Sequence, residues 1–204
     1  MPATDRHIFS SVRRTGKEPH DPVTDMDVEL LRRAGVSPED VEHSVRVARK
    51  ALEVARRTGA AVDLDFVARA ALFHDLGKAQ THAIDHGRLG AEAGRKLGLP
   101  DDITAVMEKH IRGGLTPAEA RELGLPEKDY TLRTLEERII IYADRLVDII
   151  TDGVVRTEPE AEERFEEILA TNARYGKNQT TLTRYLGYHR EIQGLIGKEK
   201  HHER

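Results

Sequence analysis

Apolar residues in this chain recur at intervals of three and four, the spacing of helices, and nowhere in the sustained two-residue alternation of strands. Asp25 to Ala34 reads as a short helix closed by Gly35. Ser37-Pro38-Glu39-Asp40 opens a long one, with serine as N-cap, proline in the first turn and acids behind it. This helix runs to about Thr58, and its stripe of Val47, Ala51 and Val54 extends one turn back onto His43. Asp63 to Leu76 is apolar nearly all round, as a central buried helix would be, and Gly77 is expected to end it.

Asp85 can cap the next helix, whose inward face is expected to carry His86, Leu89, Ala93 and Leu97. After Gly98-Leu99-Pro100, a further helix places Ile103, Val106, Met107 and His110 in line and stops at Gly113-Gly114. Thr116-Pro117-Ala118-Glu119 and Thr134-Leu135-Glu136-Glu137 are capping boxes that start two more. The second runs to about Asp152, with Ile140, Ile141, Val147 and Ile150 as core candidates and Asp144 on the same inward face. Two last helices follow, about Glu158 to Ala173 and Thr180 to Ile196, the second with Leu182, Leu186, His189, Ile192 and Ile196 in line. The expected fold class is all-α. The expected organisation is an N-terminal arm over 1–24, a helical domain over 25–153, a C-terminal helical pair over 154–197 packed on it, and a charged tail over 198–204.

Composition narrows the chemistry. The 204 residues suit one domain, and 33% of them are charged while 4% are aromatic. The net charge of −4 carries no bulk positive field, so DNA is not an expected partner. There is no cysteine, so any metal must be held by imidazole and carboxylate. No apolar run approaches the ~18 residues of a membrane span, and the N-terminus lacks a secretory apolar segment, which makes a cytoplasmic protein the expectation.

Six residues stand out: His43, His74, Asp75, His86, His110 and Asp144. Any one inward histidine is ordinarily a hydrogen-bonded core residue, and His189 is read as such. His7 and His20, in the arm, are read as solvated. An inward aspartate is harder to dismiss, because a buried carboxylate is costly without a cation or donors. Five helices pointing nitrogen or carboxylate ligands inward converge naturally on a binuclear site. Without thiolate, that set suits iron, manganese, cobalt, nickel or zinc. His82 is the rival of His86 and precedes the helix start. Lys78, Arg88, Arg112 and Arg145 each follow a ligand by one to three residues.

The order His43, His74-Asp75, Asp144 resembles the ligand pattern of the HD superfamily of metal-dependent phosphohydrolases. His74-Asp75-Leu76-Gly77-Lys78 is similar to the HD-x-G-K form of its HDIG subgroup, and His86 with His110 resembles the extra histidines of its binuclear members. His86-Gly87-Arg88-Leu89-Gly90-Ala91 and Tyr142-Ala143-Asp144 also resemble the bacterial hydrolases that cut diadenosine tetraphosphate symmetrically. The stretch from Asp25 to about Asp152, roughly two thirds of the chain, is similar to an uncharacterised, largely archaeal HDIG family.

The resemblance implies that His43, His74, Asp75 and Asp144 hold one of one or two divalent first-row metals, with Asp75 bridging to a second held by His86 and His110. It also implies that metal-bound hydroxide attacks a phosphoester or phosphoanhydride of a small phosphorylated substrate, a nucleotide or dinucleotide. Asp75 and Lys78 are the candidate catalytic residues. Lys78, Arg88, Arg112 and Arg145 are the candidate phosphate binders. Asp148, one turn past Asp144, is either an acceptor for a ligand histidine or a surface acid. Two other functions stay open: a di-iron oxygenase on the same ligand pattern, and a nucleotide-binding regulatory module.

Overall fold

The computed structural model describes residues 22–202, so most of the expected arm, with His7 and His20, lies outside the described residues. The helices run α1 Asp25–Arg33, α2 Pro38–Arg57, α3 Leu64–Phe73, α4 His86–Lys96, α5 Asp101–Lys109, α6 Pro117–Glu122, α7 Leu135–Thr151, α8 Glu158–Glu163, α9 Phe165–Thr171, α10 Ala173–Gly176 and α11 Gln179–His202. Two 3-10 turns, Leu76–Ala79 and Ile111–Gly113, follow α3 and α5. There is no strand among the described residues, and the fold is all-α.

Local chemistry sets the helix starts. The Ser37 hydroxyl accepts from the Asp40 amide, and both Thr116–Glu119 and Thr134–Glu137 form reciprocal capping boxes. Asp85 sits at the N-cap position of α4 but makes no capping bond; its carboxylate pairs with Arg88 instead.

The core lies where α3 and α7 pack on α2. From Ile139 to Ala143, α7 is buried at every position, so it shares the centre with α3. The helix α4 packs by a face the hydropathy pattern did not mark. Leu89 and Ala93 are half-buried and Leu97 is exposed, while Gly87, Gly90, Ala91 and Gly94 are buried. Glycine permits this because backbone meets backbone. A Cβ at Gly77 would lie 1.9 Å from the His86 carbonyl oxygen and 2.7 Å from the Gly90 nitrogen. Gly77 therefore does not end α3 through a left-handed turn; it lets the 3-10 turn seat against α4.

The expected helix over 158–173 is three short ones, because Arg164 and Asn172 leave the helical conformation. The last helix continues through the expected charged tail to His202. It crosses α7 and α9 and reaches the turn at 111–113, with Tyr185, Ile192 and Ile196 buried beneath it. His189 packs in this layer, stacked on Phe165 and bonded through Nδ1 to the Tyr142 hydroxyl at 3.0 Å. No helix among the described residues is long and apolar enough to cross a membrane.

Candidate metal centre

The α3 helix stops one residue before His74, and the next two residues carry the polar groups. His74 is 1% and Asp75 3% exposed. Because the chain breaks there, Asp75 turns its two oxygens to different histidines. Oδ2 lies 3.2 Å from His74 Nε2 and 3.7 Å from His43 Nε2. Oδ1 lies 3.2 Å from His86 Nε2 and 3.3 Å from His110 Nε2. Asp144, from the middle of α7, brings Oδ1 to 3.1 Å from His43 Nε2 and 3.5 Å from His74 Nε2.

Three overlapping groups could therefore hold a metal: His43, His74 and Asp75; Asp75, His86 and His110; and His43, Asp144 and Asp148. Within each, one ligand atom per residue lies within 4.8 Å of the others. His82 joins none of them. It is exposed and bonds Asp40 at 3.2 Å.

The imidazole orientations fit a cation. His74, His86 and His110 each turn Nδ1 to the carbonyl three residues back, at 2.7, 2.7 and 2.6 Å. A ring that donates from Nδ1 carries a lone pair on Nε2 when neutral, which is the form that binds metal. Two such lone pairs, on His86 and His110, then face each other at 2.8 Å. The third, on His74, is buried without a hydrogen-bond partner. A proton or a metal ion must sit among them, and the donor set of imidazoles and carboxylates suits a divalent first-row metal.

The buried carboxylates and imidazoles depend on one another for charge. Burial opposes ionisation of Asp75, but His74, His110 and His86 hold its pKa well below the usual carboxylate range. Burial likewise opposes the charge on His74, yet Asp75 and Asp144 hold its pKa well above the ordinary imidazole value. Burial pulls the His110 pKa down. Asp144 stays far below the carboxylate range against burial, through His43 and His74. Burial and then the Asp144 charge push Asp148 up to about 6. A divalent ion there would supply positive charge to both the Asp75 and Asp144 carboxylates.

Of the candidate ligands, Asp75, His86, His110 and Asp144 form the floor of a cavity of about 340 Å³, also lined by Lys78, Arg112 and Arg145. The Lys78 ammonium reaches Asp75 at 2.5 Å. Arg145 is buried, with Nη2 donating to the Tyr185 hydroxyl at 3.0 Å and Nη1 3.4 Å from Asp148. Arg88 does not line the cavity. It pairs with Glu92 at 2.6 Å and Asp85 at 3.3 Å on the outer side of α4, an arrangement its i,i+4 spacing from Glu92 could have signalled. Two lining residues, Lys177 and Tyr185, come from the C-terminal segment and carried no local signal. Asp148 lies on the cavity wall near Asp144 rather than on the open surface.

Residues 40–147 match the HD domain family model, a span that holds every one of the expected metal ligands. The chain belongs to the HD domain family. It is 39% identical over 160 residues to an uncharacterized protein of Methanocaldococcus jannaschii, covering 76% of this chain and 89% of that one. It is 37% identical over 119 residues to a tRNA (cytidine(56)-2'-O)-methyltransferase of Thermoplasma volcanium, covering 58% of this chain but 35% of that enzyme. Among solved structures, the HD domain of the L. monocytogenes phosphodiesterase PgpH in complex with cyclic-di-AMP superposes with a TM-score of 0.56 at 18% identity, covering 83% of this chain and 96% of that one. That likeness is one of fold.

Proposed function

We propose that this HD domain protein is a metal-dependent phosphohydrolase acting on a phosphoester or phosphoanhydride of a nucleotide or dinucleotide. The observation that carries the reading is the Asp75 carboxylate, whose two oxygens face separate histidine pairs at the floor of a cation-lined cavity. One or two divalent metals bound there supply Lewis acidity and a water acidified to about pKa 7. The chain's own groups hold the phosphate. The Lys78 ammonium, 2.5 Å from the Asp75 carboxylate that would hold the metal, would supply positive charge to a phosphoryl oxygen bound there. Arg145 is fixed between Tyr185 and Asp148 and keeps a buried Nε without a partner. Its charge is therefore placed before substrate arrives, so little reorganisation is needed. The net charge of −4 favours a small nucleotide over a long nucleic acid.

The test is metal analysis of gently purified protein, then phosphate release from nucleotides and dinucleoside polyphosphates with and without dioxygen. Metal-loaded protein should turn substrate over anaerobically. Asp75→Asn should lose bound metal and at least about 100-fold in turnover, since both half-sites share that carboxylate. Retained metal-dependent hydrolysis in Asp75→Asn would overturn the assignment, and substrate-dependent dioxygen uptake would replace it with an oxygenase.

A further inference from the structure

Four cations line the cavity, and two of them are already engaged: Lys78 with Asp75, and Arg145 with Asp148 and Tyr185. The other two, Arg112 and Lys177, form no ion pair among the described residues. They share a second property. Arg112 at φ 51° and Lys177 at φ 58° are the only non-glycine residues with positive φ among the described residues. At ψ −79°, Lys177 lies near the rare and strained classic γ-turn. Such strain persists only where the surroundings over-determine it, and it concentrates at functional sites.

The surroundings are tight here. Arg184 donates to the Arg112 carbonyl at 3.0 Å, and the Tyr188 hydroxyl donates to the Gly113 carbonyl at 2.9 Å. On the other side, Gly176 packs so closely that a Cβ would lie 2.2 Å from the Leu169 carbonyl oxygen. The two cations are also graded in depth: Arg112 is half-buried and Lys177 is exposed. Partial loss of water at the cavity mouth, then the nearby Arg145 and Arg112 charges, pull the Lys177 pKa down.

We infer that Arg112 and Lys177 form a second anion subsite between the ligand floor and the cavity mouth, which takes the phosphoryl group next to the one held over Asp75. The substrate class is then a compound with at least two consecutive phosphoryl groups. Lys177 lies beyond residues 40–147, so the segment after the family match sets this preference. The inference deepens the phosphohydrolase reading and rests on it for the position of the first phosphoryl group.

The experiment is calorimetric titration of metal-loaded full-length protein with inorganic pyrophosphate and with inorganic phosphate, beside thermal unfolding. In the native protein pyrophosphate should bind at least about tenfold more tightly than phosphate, one charge-assisted contact's worth. Lys177→Gly should erase that preference without lowering Tm, because glycine adopts positive φ freely. Lys177→Arg should restore it. A preference left intact by Lys177→Gly, or absent from the native protein, overturns the subsite. If the preference behaves as stated while no phosphate ester is hydrolysed, the subsite stands and the hydrolase reading falls.

Discussion

Gly77→Ala puts a methyl group 1.9 Å from the His86 carbonyl oxygen and 2.7 Å from the Gly90 nitrogen. Real Cβ contacts do not fall below 3.0 Å, so backbone must part by roughly 1 Å. No flexible side chain can give way, since both neighbours belong to the first turns of α4. Overpacking of this kind costs about 2 kcal/mol, which lowers Tm by roughly 4–8 °C in a chain of this length. The displaced residue is also a candidate ligand, and metal–ligand distances tolerate only about 0.2 Å. Metal content measured by mass spectrometry should therefore fall at the half-site of Asp75, His86 and His110, while that of His43, His74 and Asp144 persists. The assay pairs metal content per chain with thermal unfolding of metal-free protein, so that lost packing and lost ligation are read separately. Native metal content and native Tm in Gly77→Ala would refute the idea that this glycine serves close approach.

Other outcomes follow from the same contacts. A chelator should lower Tm, and divalent metal at about 100 times its Kd should raise it by roughly 5–10 °C, since ligand at that excess adds about 2.7 kcal/mol. Arg184→Ala removes donors to the Arg112 carbonyl and to Glu119, at 3.0 and 2.7 Å, and should raise KM for a diphosphoryl substrate more than it lowers kcat in steady-state assays. Glu162, against burial, is held at about 2 by hydrogen bonds from Arg57 at 2.7 and 2.8 Å. A depressed carboxylate stabilises the fold above its unfolded pKa and loses that contribution as pH falls through the folded one. Glu162→Gln should thus be less stable than the native protein by about 1–2 kcal/mol above pH ~4.5, allowing for solvent screening at the partly exposed Arg57, with the gap closing toward pH 2 in denaturant titrations.

How much of this could be read beforehand depended on the range of the interaction. Helix starts were legible because capping is local: Ser37, Thr116 and Thr134 each bond an amide three residues on. Most of the six candidate ligands were legible because they extend or end an apolar stripe that the structure buries, and the structure brings all six together around the Asp75 and Asp144 carboxylates. The buried face of α4 was not legible. Its contact is made by Gly87, Gly90 and Gly94, which contribute no side-chain hydropathy, so the apparent stripe of Leu89, Ala93 and Leu97 was misleading. The breaks at Arg164 and Asn172 were hidden for a related reason: α8, α9 and α10 follow the surface of α7 and α11, and packing overrode a favourable helical composition.

Lys177 is the instructive case. Its residue type argues against its backbone conformation, since glycine would hold φ 58° and ψ −79° with less strain. Gly176, immediately before it, is at hand for such a turn but is spent on close packing against Leu169. A lysine kept in the strained position, facing a cavity with two arginines and no acid bonded to it, makes sense if the ammonium is needed where the backbone places it. Substitution by glycine therefore separates the two demands on this position, because the fold should keep its Tm while the anion preference is lost.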